Sequence, residues 1–200
     1  MCDRAPTHRA PAMTFEILSV ETKYEGWGRY LALRVRLPSG EVVRREIEDH
    51  GRAVAVLAYD PERRTAILVR QFRAPVFYSL QQEHTIEVIA GLEEDADTET
   101  TARREAIEEA GLRLGALEHI ATAWAMPGIS TEQMTLYLAT YVEGDRIQEG
   151  GGVAAEHENI SVEEVPLAQL GKLIATGEIA DMKTLILVQA LMLRRPDLFV

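Results

Sequence analysis

The sequence predicts an α+β fold, a sandwich in which helices cover a mixed or mainly antiparallel sheet. Three observations lead there. Short β-patterned runs separated by turn signals fill residues 15–91. One helical stretch lies mid-chain and is followed by further strand-like runs. Two amphipathic helical stretches come last, between 167 and 195.

Each element has its local warrant. Residues 15–48 alternate apolar and polar side chains, and Pro38-Ser39-Gly40 between two runs reads as a hairpin turn. "AVAVLAYD" (53–60) and "TAILVRQFR" (65–73) flank Pro61-Glu62-Arg63-Arg64, a second hairpin turn. "QQEHTIEVIAG" (81–91) starts polar and becomes a strand that stops at Gly91, and an acidic loop follows. The next helix takes Thr98 or Thr100 as its N-cap, turns Ala102, Ala106, Ile107 and Ala110 inward, and stops at Gly111. Residues 117–128 and 134–142 read as two strands. Residues 143–159 hold Gly150-Gly151-Gly152 and no apolar period, the composition of a long flexible loop. A short strand (160–166) leads to helices over 167–179 and 181–195.

A chain of 200 residues suits one domain with a small extension. The expected division is a disordered leader (1–14), in which Met13 is a candidate start, an N-terminal strand region (15–50) and a main domain (51–200). Twenty-one Lys and Arg against 32 Asp and Glu give a net charge of −11. That balance argues against nucleic acid or an anionic membrane as the main partner. It leaves room for a small anionic ligand held through a metal ion. Cys2 is the only cysteine, so no internal disulfide framework forms, which points to the cytoplasm. No apolar stretch approaches a membrane span. The five histidines show no metal-ligand spacing, and no phosphate-binding P-loop is present.

Residues 103–112 carry the chemistry. Glu105, Glu108 and Glu109 share one helix face, where like charges repel by a few tenths of a kcal/mol per pair. A solvated acidic face is one explanation. A site for a hard cation is the other, because Mg²⁺ takes oxygen ligands and bridges carboxylates to phosphates.

The run Arg104 to Leu112, "REAIEEAGL", resembles the second half of the Nudix box, G-x5-E-x7-R-E-U-x-E-E-x-G-U. Gly91 matches the first glycine, but its gap to Arg104 is one residue short. The first box glutamate then falls on Asp97 or Ala96 and receives no role. Segments 69–75, 87–92, 156–160 and 176–184 are similar to the ADP-ribose pyrophosphatase and GDP-mannose pyrophosphatase branch of that family. The resemblance implies an α/β/α sandwich with a mixed sheet and an N-terminal antiparallel strand extension. It also implies Mg²⁺-dependent (or Mn²⁺-dependent) cleavage of the diphosphate bond of a nucleoside diphosphate sugar, giving a nucleoside monophosphate and a sugar phosphate. The alternative is a nucleotide-binding regulatory module of the same fold; such modules typically have eroded box carboxylates, whereas all three are intact here.

By the same resemblance, Glu105, Glu108 and Glu109 are metal ligands, joined by the Ala90 carbonyl. Arg104 pairs with Glu87 and holds the box in shape. Glu156 is the general base with Glu158 in support, although two extra residues, Ala154-Ala155, leave the choice between them open. Arg73, with Arg44 or Arg45, contacts the substrate, and Trp27 stacks on its base. The glycine run lets its loop close. The expected partners are the nucleotide sugar and a second copy of the chain in a homodimer, with neither nucleic acid nor membrane.

Overall fold

The computed structural model describes residues 14–93, 97–152 and 159–200. The chain divides into two compact units, one running through His50 and including 126–132, the other made of 51–125 and 133–200.

In the first unit, β1 (Glu16–Glu25), β2 (Arg29–Arg36) and β3 (Val42–Asp49) form an antiparallel sheet in that order. The Pro38-Ser39-Gly40 turn is present as expected. Gly40 adopts φ 88°, and its N–H donates to the Leu37 carbonyl at 2.8 Å. Positive φ there favours glycine. Residues 126–132 lie along the end of β3: the Glu48 N–H donates to the Ile129 carbonyl at 2.8 Å and the Thr131 N–H to the Glu48 carbonyl at 2.9 Å. Phe15, Ile17, Val20 and Tyr24 are all exposed.

The second unit is built on a mixed sheet. Its strands are β4 (Arg52–Asp60), β5 (Thr65–Gln71), β6 (Thr85–Glu87), β7 (Ile89–Leu92), β8 (Leu117–Trp124), β9 (Gln133–Thr140) and β10 (Ser161–Pro166). The main order is β10-β5-β4-β9-β8. β4 and β9 run parallel, and the other pairs are antiparallel. Ala53 through Tyr59 are all buried, so β4 reads as an unbroken apolar run because both sheet faces are covered. The expected turn after β4 is tied by Asp60, whose carboxylate accepts from the Glu62 and Arg63 N–H groups at 2.8 and 3.0 Å.

β4 and β5 pair only where Ala58–Asp60 meets Thr65–Ile67. Beyond that point β5 takes β6 as its neighbour and β4 takes β7, so the sheet splits. The single strand expected over 81–91 is therefore two short strands. The break falls at Val88, whose N–H donates to Thr184 Oγ1 at 2.8 Å. Nor does the second strand stop at Gly91; it continues to Leu92.

A short helix, α1 (Ala74–Leu80), occupies a stretch for which the sequence suggested no element. Pro75 lies in its first turn and Gln81 caps its end at φ 56°. The other helices are α2 (Thr98–Ala110), α3 (Leu167–Thr176) and α4 (Met182–Arg194). Alternation along the strands sorts the core into two layers. Val54, Val56, Ile67, Val69 and Ile89 face α2 through Ala102, Ala106 and Ala110. Ala55, Leu57, Leu68, Leu136 and Leu138 face α3 and α4 through Leu167, Leu170, Leu187 and Leu191. The architecture is the α/β/α sandwich with a mixed sheet that the sequence led us to expect. Among the described residues, no helix is long and apolar enough to cross a membrane.

Candidate active site

α2 is fixed at both ends. Its N-cap is Asp97, not Thr98 or Thr100: the Asp97 carboxylate accepts from the N–H groups of Glu99 and Thr100 at 3.3 and 3.0 Å. The cap must stand just before the first helical residue, and Thr98 is already inside the helix. At the other end Gly111 turns left-handed at φ 64°, and the Leu112 N–H returns to the Ala106 carbonyl at 2.9 Å.

The glycine run also serves this helix end. The N–H groups of Gly151 and Gly152 donate to the carbonyls of Glu109 and Glu108 at 2.8 and 3.1 Å. These carbonyls belong to the last helical turn, which has no partners within the helix. A Cβ on Gly150 would sit 2.4 Å from the Glu109 carbonyl oxygen. The segment expected to swing freely is thus bonded to α2 at its root.

The three carboxylates are not equivalent. Glu109 is buried at 2% exposure, the Glu105 side chain is 12% exposed and that of Glu108 is 33% exposed. Burial falls from one to the next because the apolar face of α2 passes through Ala102, Ala106 and Glu109. Glu109 Oε2 accepts from the Ala90 N–H of β7 at 3.1 Å. The Glu105 carboxyl lies over Gly91, where a Cβ would come within 2.1 Å of its carbon. Gly91 is needed for this close approach, since the strand does not end there.

Arg104 bridges two of the acids. Its Nη2 meets Glu105 Oε1 at 3.0 Å and its Nη1 meets Glu108 Oε2 at 2.8 Å. This fork offsets the repulsion along the helix face. It also corrects the expected Arg104–Glu87 pair. Arg104 is engaged on its own helix, and Glu87 is met by cations from two other elements. Among the described residues, no three His, Cys, Asp or Glu side chains already stand together as a metal-binding group. Their oxygens are instead shared with Arg104 and the Ala90 N–H.

Glu87, at the end of β6, is 2% exposed. Arg73 grips it bidentately, Nε to Oε1 at 2.9 Å and Nη2 to Oε2 at 2.8 Å. Thr85 Oγ1 donates to Oε1 at 2.5 Å, and Lys183 forms an ion pair with Oε2. Burial pushes the Glu87 carboxyl up, but Arg73 and Lys183 together overcome it and bring the pKa from 4.5 down to about 2. Glu87 in turn holds the Arg73 guanidinium protonated more firmly, with smaller contributions from Glu109 and Asp181. Val88 alone separates Glu87 at the end of β6 from β7, the strand whose Ala90 N–H bonds Glu109.

Lys183 is the residue that sequence reasoning missed. Asp181 caps α4 through the Thr184 N–H at 3.0 Å and also accepts from Lys183 Nζ at 3.0 Å. A lysine in the first turn of a helix opposes the helix dipole, so it needs a carboxylate partner. That was the available signal.

Trp27 and Arg45 belong to the first unit. Trp27 is 80% exposed, and its ring centre lies 5.0 Å from that of His50. Arg45 Nη1 donates to the Arg44 carbonyl at 2.9 Å, and Arg44 pairs with Glu46 at 3.0 Å. The expected base and its support, Glu156 and Glu158, lie outside the described residues.

The chain is 41% identical over 158 residues to the GDP-mannose pyrophosphatase of Cronobacter sakazakii, covering 78% of this chain and 82% of that protein. Similarity to the GDP-mannose pyrophosphatase of Enterobacter sp. strain 638 is 38% over 156 residues, covering 76% and 81%. A crystal structure of an ADP compounds hydrolase superposes with a TM-score of 0.74 at 16% identity, over 92% of this chain and 95% of that one, which shows a shared fold. The NUDIX domain model matches residues 49–186. With the box helix docked on β7 and these relatives beside it, the chain belongs to the Nudix family.

Proposed function

We propose that this protein is a divalent-metal-dependent hydrolase of nucleoside diphosphate sugars, of GDP-mannose or ADP-ribose type, releasing a nucleoside monophosphate and a sugar phosphate. One observation carries the proposal: α2 seats Glu105 and Glu109 against β7, one residue beyond the end of β6, where Glu87 holds Arg73. Carboxylates beside an arginine suit a substrate that needs both a cation and a phosphate-binding fork. The GDP-mannose pyrophosphatases among its relatives support the substrate class.

Glu105, Glu108 and Glu109, with the Ala90 carbonyl, would hold Mg²⁺ or Mn²⁺. The donor set is all oxygen, which suits a hard cation, and Gly91 leaves the space that the Glu105 carboxyl fills. A bound ion supplies positive charge to the diphosphate oxygens and lowers the pKa of a coordinated water. Arg104 positions Glu105 and Glu108, and Glu87 orients Arg73 toward a phosphate oxygen. Glu156 or Glu158 takes the proton of the attacking water. Their segment follows Gly152, which is bonded to the end of α2.

Trp27 stacks on the base, with Arg45 as a further contact. The exposed apolar side chains of β1 suit a second copy of the chain, giving a homodimer. The single cysteine suits the cytoplasm. The test is product analysis after incubation with Mg²⁺ and a panel of nucleotide sugars including GDP-mannose and ADP-ribose. A nucleoside monophosphate with a sugar phosphate supports the proposal. Nucleotide binding without any cleavage would instead favour a regulatory module.

A further inference from the structure

Gln71 closes β5 with 6% exposure, yet its buried side-chain Nε2 has no hydrogen-bond partner among the described residues. An unmatched buried donor destabilises a fold, so its persistence points to an acceptor that arrives with a ligand. Alternation along β5 places Gln71 on the face of Ile67 and Val69, the face that α2 covers. Its register partner on β6 is Thr85, and that of Val69 is Glu87. Arg73, two residues on, has the extended backbone φ −127°, ψ 108°, and so returns to the same side. Gln71 thus stands opposite Thr85, next to the Arg73–Glu87 pair.

Those neighbours are already engaged. Thr85 Oγ1 bonds to Glu87 and, at 3.4 Å, to the Gln71 carbonyl. Both Glu87 oxygens are taken by Arg73, Thr85 and Lys183. The Arg73 bonds to Glu87 use Nε and Nη2, leaving Nη1 outside the pair. An apolar side chain, as at Ile67 and Val69, would fill the position without an orphaned donor.

We infer that the Gln71 carboxamide is a substrate-binding donor that, beside Arg73, takes an anionic phosphate oxygen of the diphosphate-linked substrate. This rests on the function proposed above and adds a contact to it.

Gln71→Met tests it, because methionine keeps the length and removes the donor. The variant melts at or above the wild-type temperature, since the orphaned group is gone. Its kcat/KM on the preferred nucleotide sugar falls about 10-fold, as for loss of one hydrogen bond to a charged group, with most of the change in KM. If Gln71→Met folds poorly, Gln71→Glu replaces it; its carboxylate repels phosphate and raises KM further. Wild-type kinetics in either folded variant overturn the inference, because the Nε2 is then satisfied by water alone. Should the wild type cleave nothing, the function proposal fails separately. Equilibrium binding of ADP or GDP then decides: weaker binding to the variant upholds the Gln71 contact, and equal binding, or no binding to either protein, removes it.

Discussion

Replacing Glu87 by glutamine probes the ion cluster that supports Arg73. The Glu87 carboxyl is almost fully buried, and it ionises at about 2 where a free glutamate does so at 4.5. Holding the charged form over that interval corresponds to about 3 kcal/mol of native-state stability. Because the folded pKa is depressed, this contribution is complete above the unfolded value of 4.5 and is lost as pH falls through about 2. Glu87→Gln keeps the side-chain shape but leaves the Arg73 and Lys183 charges without their shared anion. The expected loss at neutral pH is about 3 kcal/mol. For a chain of this size that lowers the melting temperature by about 6–12 °C. Unfolding of both proteins by urea, followed by circular dichroism from neutral pH down to about pH 2.5, reads the difference directly. The gap between them should narrow steadily below about pH 4.5. A gap that is absent at neutral pH, or that stays constant on acidification, would refute the assignment of Glu87 as a charged, cation-held group.

Further outcomes follow from the same geometry. Glu109→Gln should keep its fold to within about 1 kcal/mol, because the amide oxygen still accepts from the Ala90 N–H. Its turnover should nevertheless drop by about 100-fold in the product assay. Gly150→Ala forces a side chain onto φ 78° and toward the Glu109 carbonyl, costing about 1–3 kcal/mol, and should speed amide exchange in the last turn of α2. Leu187→Ala empties a fully buried position under the sheet and should destabilise the fold by about 2–5 kcal/mol in denaturant titration. Light scattering at micromolar concentration should report a dimer; a monomer would remove the pairing proposed for β1.

Local chemistry was legible in the sequence. Pro38-Ser39-Gly40 and Pro61-Glu62-Arg63-Arg64 turn where their residue types require it, and Gly111 stops α2 in the left-handed conformation that glycine tolerates. The acidic helix face was also visible, because its spacing is a property of one element. What escaped depends on distant partners. The break between β6 and β7 is set by Thr184, far along the chain, so residues 81–91 read as a single strand ending at Gly91. The sequence paired Glu87 with Arg104, and only the fold brings Arg73 and Lys183 to it while Arg104 turns to Glu105 and Glu108. α1 has no buried residue, so it carries no amphipathic period to detect. The Gly150–Gly152 run has the composition of a flexible linker, yet the N–H groups of Gly151 and Gly152 satisfy helix carbonyls, and composition cannot reveal that.

Calorimetric titration of Mn²⁺ into the wild type and the Glu105→Gln and Glu109→Gln variants, each with a saturating nucleoside diphosphate, tests the metal-site claim most directly. We expect saturable binding to the wild type and affinities weaker by about 10-fold or more in both variants. Equal Mn²⁺ affinity in all three proteins, or none in the wild type, would contradict the assignment of the α2 carboxylates as a cation site.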